Sequence, residues 1–118
     1  MNKRAIGSQY EDVAIAYMAQ KGYSLVVRNY HCRMGEIDAI FKKDGGYVVC
    51  EIKYRRDESC GNPLEAVGYG KQKRICRTTM YFYMKQGLSM DVPCRFDVIG
   101  ICADGSVTHM ENAFEFVE

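Results

Sequence analysis

The sequence has no long apolar run. Its longest apolar stretches, such as the segment 47–50, are far too short to cross a lipid bilayer. The first twelve residues carry two basic side chains but no apolar segment, so they do not have the pattern of a signal peptide. We therefore expect a cytoplasmic protein that makes no contact with a membrane.

The sequence also has little net charge and no repeated or low-complexity segment. Its 118 residues suffice for a single domain, predicted to span 1–118, and 47% apolar with 26% charged residues is typical of a globular protein. The net charge of +1 says nothing about partners, but seven Lys and Arg fall within 53–77 and none within 103–118. One face could bind a polyanion, although a solvated helix face with an acidic tail explains the same pattern.

No two cysteines have the C-x-x-C spacing that is typical of a zinc site. The six cysteines are Cys32, Cys50, Cys60, Cys76, Cys94 and Cys102. Cys50 and Cys102 lie in apolar, strand-like runs, where a free thiol packs as a small hydrophobic group. A reducing cytoplasm disfavours disulfides, so we expect free cysteines and no structural zinc.

Hydrophobic periodicity and turn signals predict the order α-β-β-β-α-β, an α/β fold with a mixed sheet flanked by helices. The predicted segments are a helix over 9–20, strands over 24–29, 36–41 and 47–54, a helix that ends near 86, a strand over 95–102 and a short further strand over 106–110. Asn62 and Pro63 open the second helix, and Gly68 and Gly70 interrupt it. We expect its buried face to comprise Ile75, Thr79, Phe82 and Tyr83.

The two strands on either side of Asp44-Gly45 carry the strongest functional pattern. Asp-Gly between two β-rich runs predicts a tight hairpin turn. The register that follows places Asp38 directly opposite Glu51, with both carboxylates on one face. Alternation gives the other face an apolar surface, which comprises Ile37, Ala39, Phe41, Val48, Cys50 and Ile52.

Two opposed carboxylates repel each other, so they need a shared proton, a cation or a nearby ammonium group. Mg²⁺ or Mn²⁺ suits such an oxygen-rich pair, and Lys53, two residues after Glu51, could orient a water or stabilise charge on a phosphate. These groups together are suited to metal-assisted hydrolysis of a phosphodiester. The alternative is a surface cluster in which Glu36, opposite Lys53, forms an ion pair and the two acids are simply solvated.

Glu11 is a further candidate carboxylate, because it flanks the apolar stripe of the first helix. If that helix starts near Ser8, then Ser8 and Glu11 form a capping box that satisfies backbone N–H groups. If it starts near residue 2 or 3, Glu11 lies within the helix and the capping role disappears. Both starts are compatible with the local sequence.

The hairpin motifs resemble those of the YraN-like bacterial proteins. The segments 35–40 (GEIDAI) and 50–55 (CEIKYR) are similar to the family motifs G-E-I-D-x-I and V-E-V-K-x-R, and the resemblance covers nearly the whole chain. It implies a restriction-endonuclease-like fold, similar to that of archaeal Holliday junction resolvases. Tyr10 and Tyr54 depart from the pattern, since the family usually has glycine at the first position and a small or polar residue at the second.

The resemblance implies a PD-(D/E)-x-K nuclease site that uses Mg²⁺ or Mn²⁺. Asp38 and Glu51 would bind the metal ion and Lys53 would orient the attacking water. Glu11 would complete the catalytic set. Basic side chains would contact the DNA backbone without reading its sequence: Arg55, Arg56, Lys71, Lys73 and Arg74.

The implied function is hydrolysis of DNA, with branched or single-stranded DNA as substrates and a homodimer as the resolvase-like assembly. No helix-turn-helix or zinc finger is present to read bases. One alternative is a non-catalytic nucleic-acid-binding or adaptor protein that keeps the nuclease fold. Another is an oligomeric interaction module that uses Tyr81-Phe82-Tyr83 as a contact, although core packing of these rings is the simpler explanation.

Overall fold

The computed structural model describes residues 3–55 and 67–117 of the chain. Its elements are α1 (Lys3–Gln20), β1 (Ser24–Cys32), β2 (Gly35–Lys43), β3 (Gly46–Arg55), α2 (Tyr69–Gln86), β4 (Cys94–Cys102) and β5 (Val107–Phe114). The strands form one sheet in the order β1-β2-β3-β4-β5. Neighbouring strands are antiparallel except β3 and β4, which are parallel. The predicted α/β class and mixed sheet are therefore confirmed.

Helix α1 ends at the predicted residue but begins earlier, at Lys3 instead of Gln9. Ala14 and Met18, from its predicted apolar stripe, are fully buried. Gly22 follows the helix with a φ of 91°, a left-handed conformation that glycine adopts without strain. Because the helix begins early, the residues that were predicted to form its first helical turn lie well inside it.

The hairpin of β2 and β3 turns at Asp44 and Gly45, as predicted. Both turn residues have positive φ, 52° and 81°, as in the type I′ turns for which Asp-Gly is suited. The backbone ladder runs from this turn to the pair Ala39 and Cys50. The predicted register is therefore confirmed over this part of the hairpin.

Helix α2 connects two parallel strands, which cannot be joined by a tight turn. It starts at Tyr69, after Gly68, while the predicted capping residues Asn62 and Pro63 lie outside the described residues. Its buried side includes all four residues that were predicted to point inward: Ile75, Thr79, Phe82 and Tyr83. Gly87, with a φ of 67°, ends the helix.

The sheet has a hydrophobic core on each face. The core against α1 contains Ala14, Met18, Tyr23, Ala39, Phe41, Val48, Cys50, Ile99 and Ile101. The core against α2 contains Ile37, Ile40, Val49, Val67, Ile75, Cys76, Phe82, Tyr83, Phe96, Val98 and Phe114. The predicted apolar face of the hairpin is confirmed except for Ile37, which belongs to the second core. The carboxylates of the hairpin therefore lie at one end of a face that is otherwise buried by α2.

Neither of the two helices in the described ranges is long and apolar enough to cross a membrane. Cys32, Cys50, Cys76 and Cys94 are free thiols, as predicted. Cys102 is disulfide-bonded, so the prediction is wrong for this residue. The prediction rested on the redox environment and on the apolar run around Cys102, whereas a disulfide also depends on which segments the fold brings together.

Candidate functional site

A cavity of about 460 Å³ lies between the N-terminal part of β2 and the first turns of α2. Its lining residues are His31, Cys32, Gly35, Glu36, Asp38, Glu51, Lys71, Arg74 and Ile75. Three carboxyl groups from the hairpin thus face two cations from α2. The carboxylates that the register predicted to be neighbours, Asp38 and Glu51, share this cavity.

Gly35 allows α2 to approach the sheet closely at this cavity. A Cβ atom at this position would lie 3.1 Å from Oγ1 of Thr78 and 3.4 Å from Cβ of Arg74. The φ of Gly35 is 155°, which side chains rarely adopt. Glycine at the start of β2 therefore sets the distance between the hairpin and the helix that lines the site.

Asp38 lies where the backbones of β2 and β3 separate. Backbone pairing between the two strands ends at Ala39, the residue that follows Asp38 in the sequence. Oδ2 of Asp38 accepts a hydrogen bond of 2.7 Å from the backbone N–H of Ile52. This carboxylate oxygen takes the place of a backbone acceptor, so the side chain is fixed against β3. The bond keeps the Asp38 carboxyl beside Glu51.

The predicted pair of Glu36 and Lys53 is not part of the β2–β3 ladder, because the two strands have already separated there. Glu36 instead pairs with His31 of β1, and Lys53 pairs with Gly100 of β4. Among the described residues, no salt bridge joins Glu36 to Lys53. The surface ion pair considered from the sequence is therefore wrong.

The pKa of Asp38 is raised from 3.8 to about 7. Loss of hydration in the buried site is the largest cause, and the charge of Glu51, a hydrogen bond with its carboxyl group and the charge of Glu11 act in the same direction. The N–H of Ile52 lowers the pKa and opposes this rise. Without a bound cation, the Asp38 carboxyl group thus keeps its proton to near neutral pH, and a carboxyl pKa raised this far is typical of functional sites.

Glu51 is buried and paired with a cation of α2. Its Oε1 contacts Nζ of Lys71, and the two side chains are 9% and 36% exposed. The sequence analysis placed Lys71 only among the groups that would contact a DNA backbone. The ion pair with Glu51 depends on how α2 docks on the sheet, for which the local sequence gives no signal.

Glu11 lies within α1, which excludes the capping-box role because the helix begins at Lys3. Its carboxylate lies 3.4 Å from Arg28, which also binds Asp12 at 2.6 Å. The charge of Glu11 contributes to the raised pKa of Asp38. The fold therefore brings Glu11 within electrostatic reach of the carboxylate pair, held there by an arginine of β1 that sequence reasoning missed.

The remaining predicted residues differ in how close they come to the cavity. Arg74 is exposed and lines it, whereas the exposed Lys53 is not among its lining residues. The ammonium group of Lys73 lies 5.4 Å from the ring of Tyr69. Arg55 is half-buried at the end of β3. Arg56 lies outside the described residues.

Asp38 and Glu51 are the candidate ligands for a metal ion at this cavity. Within 3–55 and 67–117, no three His, Cys, Asp or Glu side chains are grouped so that they could hold a metal ion together. Two carboxylates completed by water suit Mg²⁺, which keeps several of its own waters in proteins. The donor chemistry and the raised pKa of Asp38 fit a divalent cation, since a cation would remove the repulsion that now requires a proton.

The two positions that depart from the family pattern are in contact. The rings of Tyr10 and Tyr54 stack with centroids 3.7 Å apart and planes 13° apart. Tyr10 precedes Glu11, and Tyr54 follows Lys53. The stacked pair therefore joins the helix and the strand that carry these two candidate residues.

A second polar cluster, on the α1 side of β4, was missed by the sequence analysis. Asp97 is buried and accepts hydrogen bonds from Arg95 at 2.8 Å, from Nε2 of His109 at 2.7 Å and from the N–H of Asn112 at 3.0 Å. Burial raises the pKa of Asp97, but these hydrogen bonds outweigh it and hold the pKa below the ordinary value. The His109 side chain is only 2% exposed. The sequence did contain one signal for this cluster, namely an aspartate in the middle of an apolar strand.

Comparison with known proteins agrees with the resemblance found in the motifs. A family model described as "Uncharacterised protein family UPF0102" matches residues 10–101. The chain belongs to this family. The matched region includes Glu11, Asp38, Glu51 and Lys53.

Curated UPF0102 proteins from several bacteria are similar over most of their length. The chain is 38% identical over 115 residues to a UPF0102 protein of Lachnoclostridium phytofermentans, covering 98% of the chain and 97% of the relative. It is 37% identical over 98 residues to one of Nitrosococcus oceani, covering 83% and 79%. It is 35% identical over 118 residues to one of Geotalea uraniireducens, covering 97% and 92%.

Proposed function

We propose that this protein is a metal-dependent nuclease that hydrolyses phosphodiester bonds of DNA, with branched or single-stranded DNA as its substrates. The observation that carries the proposal is the pair of carboxyl groups of Asp38 and Glu51 in one cavity. A buried pair of this kind is costly for stability alone, and it is the donor set that Mg²⁺ or Mn²⁺ prefers. Arg74 at the same cavity supplies a positive group for a phosphate.

Asp38 and Glu51 would hold the metal ion, together with a main-chain carbonyl near Ile52. Bound there, the ion would supply Lewis-acid activation of the phosphate and a lower pKa for its water. The N–H of Ile52 orients the Asp38 carboxylate, which limits the reorganisation needed on binding. Lys53, exposed beyond Glu51 on β3, would orient the attacking water and stabilise negative charge on the phosphate.

Glu11 would complete the catalytic set through a water molecule or a second ion. Its contact with Arg28 keeps the carboxylate on the side of α1 that faces the pair. DNA would approach from the side of α2, which carries the consecutive residues Lys73 and Arg74. Together with Lys71, Arg55 and Arg56, they would contact backbone phosphates, which positions the nucleic acid without selecting a sequence.

The finer fold assignment is part of the same proposal. An antiparallel β1-β2-β3 meander, a crossing helix and a β4 parallel to β3 support a single restriction-endonuclease-like domain over 1–118. The acids at the point where β2 and β3 separate support its relation to resolvases. A homodimer, as in resolvases, would present two cavities to two DNA strands.

The test is cleavage of labelled four-way junctions, flaps, single strands and linear duplex by purified protein with Mg²⁺ or Mn²⁺. We expect Asp38→Asn and Lys53→Ala to abolish cleavage while the circular dichroism spectrum stays that of wild type. Asp91→Asn changes an exposed carboxylate far along the chain from the pair and should cut normally. If wild type is inert on every substrate with either metal, the proposal fails.

The non-catalytic adaptor predicts a different result in the same assay. It would bind DNA in a salt-dependent manner without metal, and Glu51→Ala would not weaken that binding. The third candidate, an interaction module built on the segment 81–83, loses its basis because Phe82 and Tyr83 are buried in the core against α2.

A further inference from the structure

We propose that Lys71 is an internal counter-cation of the carboxylate pair, which binds Glu51 in the metal-free protein and must leave it when a divalent cation binds. The inference rests on the metal site of the proposed function but does not require cleavage of DNA. It assigns to Lys71 a role in metal binding that a backbone-contacting lysine would not have.

The first observation is the direct contact of Nζ of Lys71 with Oε1 of Glu51. Glu51 is buried, and among the described residues Lys71 is its one salt-bridge partner. Removing the partner of a buried charge is strongly unfavourable, so the metal-free protein needs this ammonium group. A divalent cation would satisfy the same carboxylate with a larger charge.

The second observation is that the ammonium group and a metal ion would use the same ligand. Asp38 is fixed to the N–H of Ile52, so it cannot turn away to open a separate position beside Glu51. Two positive groups on one carboxylate repel each other at contact distance. Metal binding and the contact of Lys71 with Glu51 therefore compete for the same carboxylate.

The third observation is that the Lys71 side chain can leave without unfolding the helix. Its side chain is 36% exposed and lies in the first turn of α2. The long lysine chain can therefore move to the cavity mouth beside Arg74, three residues further along the same helix face. The released ammonium group would face an incoming phosphate.

The first experiment measures the release of Lys71 in the wild-type protein. Lysines are acetylated briefly with and without saturating Mn²⁺, and the modification of each is quantified by mass spectrometry. We expect Mn²⁺ to increase the modification of Lys71 by about threefold or more, since a paired ammonium is shielded from the reagent. Lys73, whose ammonium group lies over the Tyr69 ring, should not respond. Equal modification of Lys71 with and without Mn²⁺ overturns the proposal.

The second experiment measures Mn²⁺ affinity by calorimetric titration. Lys71→Met removes the competing charge and should bind Mn²⁺ about tenfold more tightly than wild type. Arg74→Met removes the same charge from the same cavity without touching Glu51, and should change affinity by no more than about twofold. An equal gain in both variants, or none in Lys71→Met, overturns the proposal. Lys71→Arg keeps the charge and the fold, and should not gain affinity.

The two proposals can fail separately. If wild type binds Mn²⁺ and releases Lys71 but cuts no DNA, the nuclease proposal fails and the role of Lys71 stands. If wild type cuts DNA while Lys71 modification and the affinity of Lys71→Met do not change, the role of Lys71 fails alone. If neither wild type nor Lys71→Met binds Mn²⁺, both fail.

Discussion

Replacing Asp38 by asparagine should make the metal-free protein more stable at pH 8. The pKa of Asp38 is raised from 3.8 to about 7, so the folded protein keeps a proton that the unfolded chain has already released. Stability therefore falls as the pH rises from about 4 to about 7. Since one pKa unit corresponds to about 1.4 kcal/mol, the full penalty above pH 7 is about 4 kcal/mol.

Asparagine resembles the protonated form of this side chain. Its oxygen can accept the hydrogen bond from Ile52, and its NH₂ group can donate to Glu51 in place of the Asp38 proton. Because the new hydrogen bonds are less well aligned, we expect a gain of about 2–3 kcal/mol at pH 8. At pH 4, where wild-type Asp38 is protonated in the fold, the two proteins should be nearly equal in stability.

The assay is urea unfolding followed by far-UV circular dichroism, at pH 4 and pH 8 in the presence of a chelator. Asp91→Asn, at an exposed carboxylate, serves as the control and should match wild type at both pH values. A variant at position 38 that is less stable than wild type at pH 8 would refute the reasoning. So would a stability difference that is the same at both pH values.

The other predictions concern the Asp97 cluster and two glycines next to α2. Asp97→Ala should lower the free energy of unfolding by about 3–5 kcal/mol in urea titrations, because Arg95 and the buried His109 lose their common partner. Because the pKa of Asp97 is lowered in the fold, its contribution to stability is lost as the pH falls below 3.8. In thermal scans, the higher stability of wild type over Asp97→Asn should therefore shrink in that pH range. A stability difference that stays constant there would contradict this. Gly35→Ala should cost about 1–3 kcal/mol, whereas Gly68→Ala, with an ordinary φ and open space at its Cβ, should cost little in the same titration.

The parts of the fold that were predicted correctly are set by short-range chemistry. The Asp44-Gly45 turn fixes its own conformation, and alternation then determines the register of β2 and β3. The local sequence was compatible with two starts of α1, and the helix takes the earlier one, at Lys3, instead of the start indicated by the capping signal at Ser8. Such a signal is local, whereas most of a helix's stability in a protein comes from packing of its apolar side, here Ala14 and Met18, against residues far away in the sequence.

The contrast between short-range signals and long-range packing also applies to the candidate site. The proximity of Asp38 and Glu51 followed from hairpin geometry alone. The partners of these acids come from other elements, Lys71 from α2 and Arg28 from β1, and could be found only once the docking of those elements was known. The burial of His109 depends on the same kind of information, because β5 places its ring against Tyr17 of α1.

The stacked rings of Tyr10 and Tyr54 have an evolutionary consequence. Both rings are bulky, and they stack on each other between α1 and β3. Losing one ring alone would leave a void beside the other. We therefore expect the sizes of these two residues to covary among relatives, both large or both small. The spacing between the helix and the strand would change together with them.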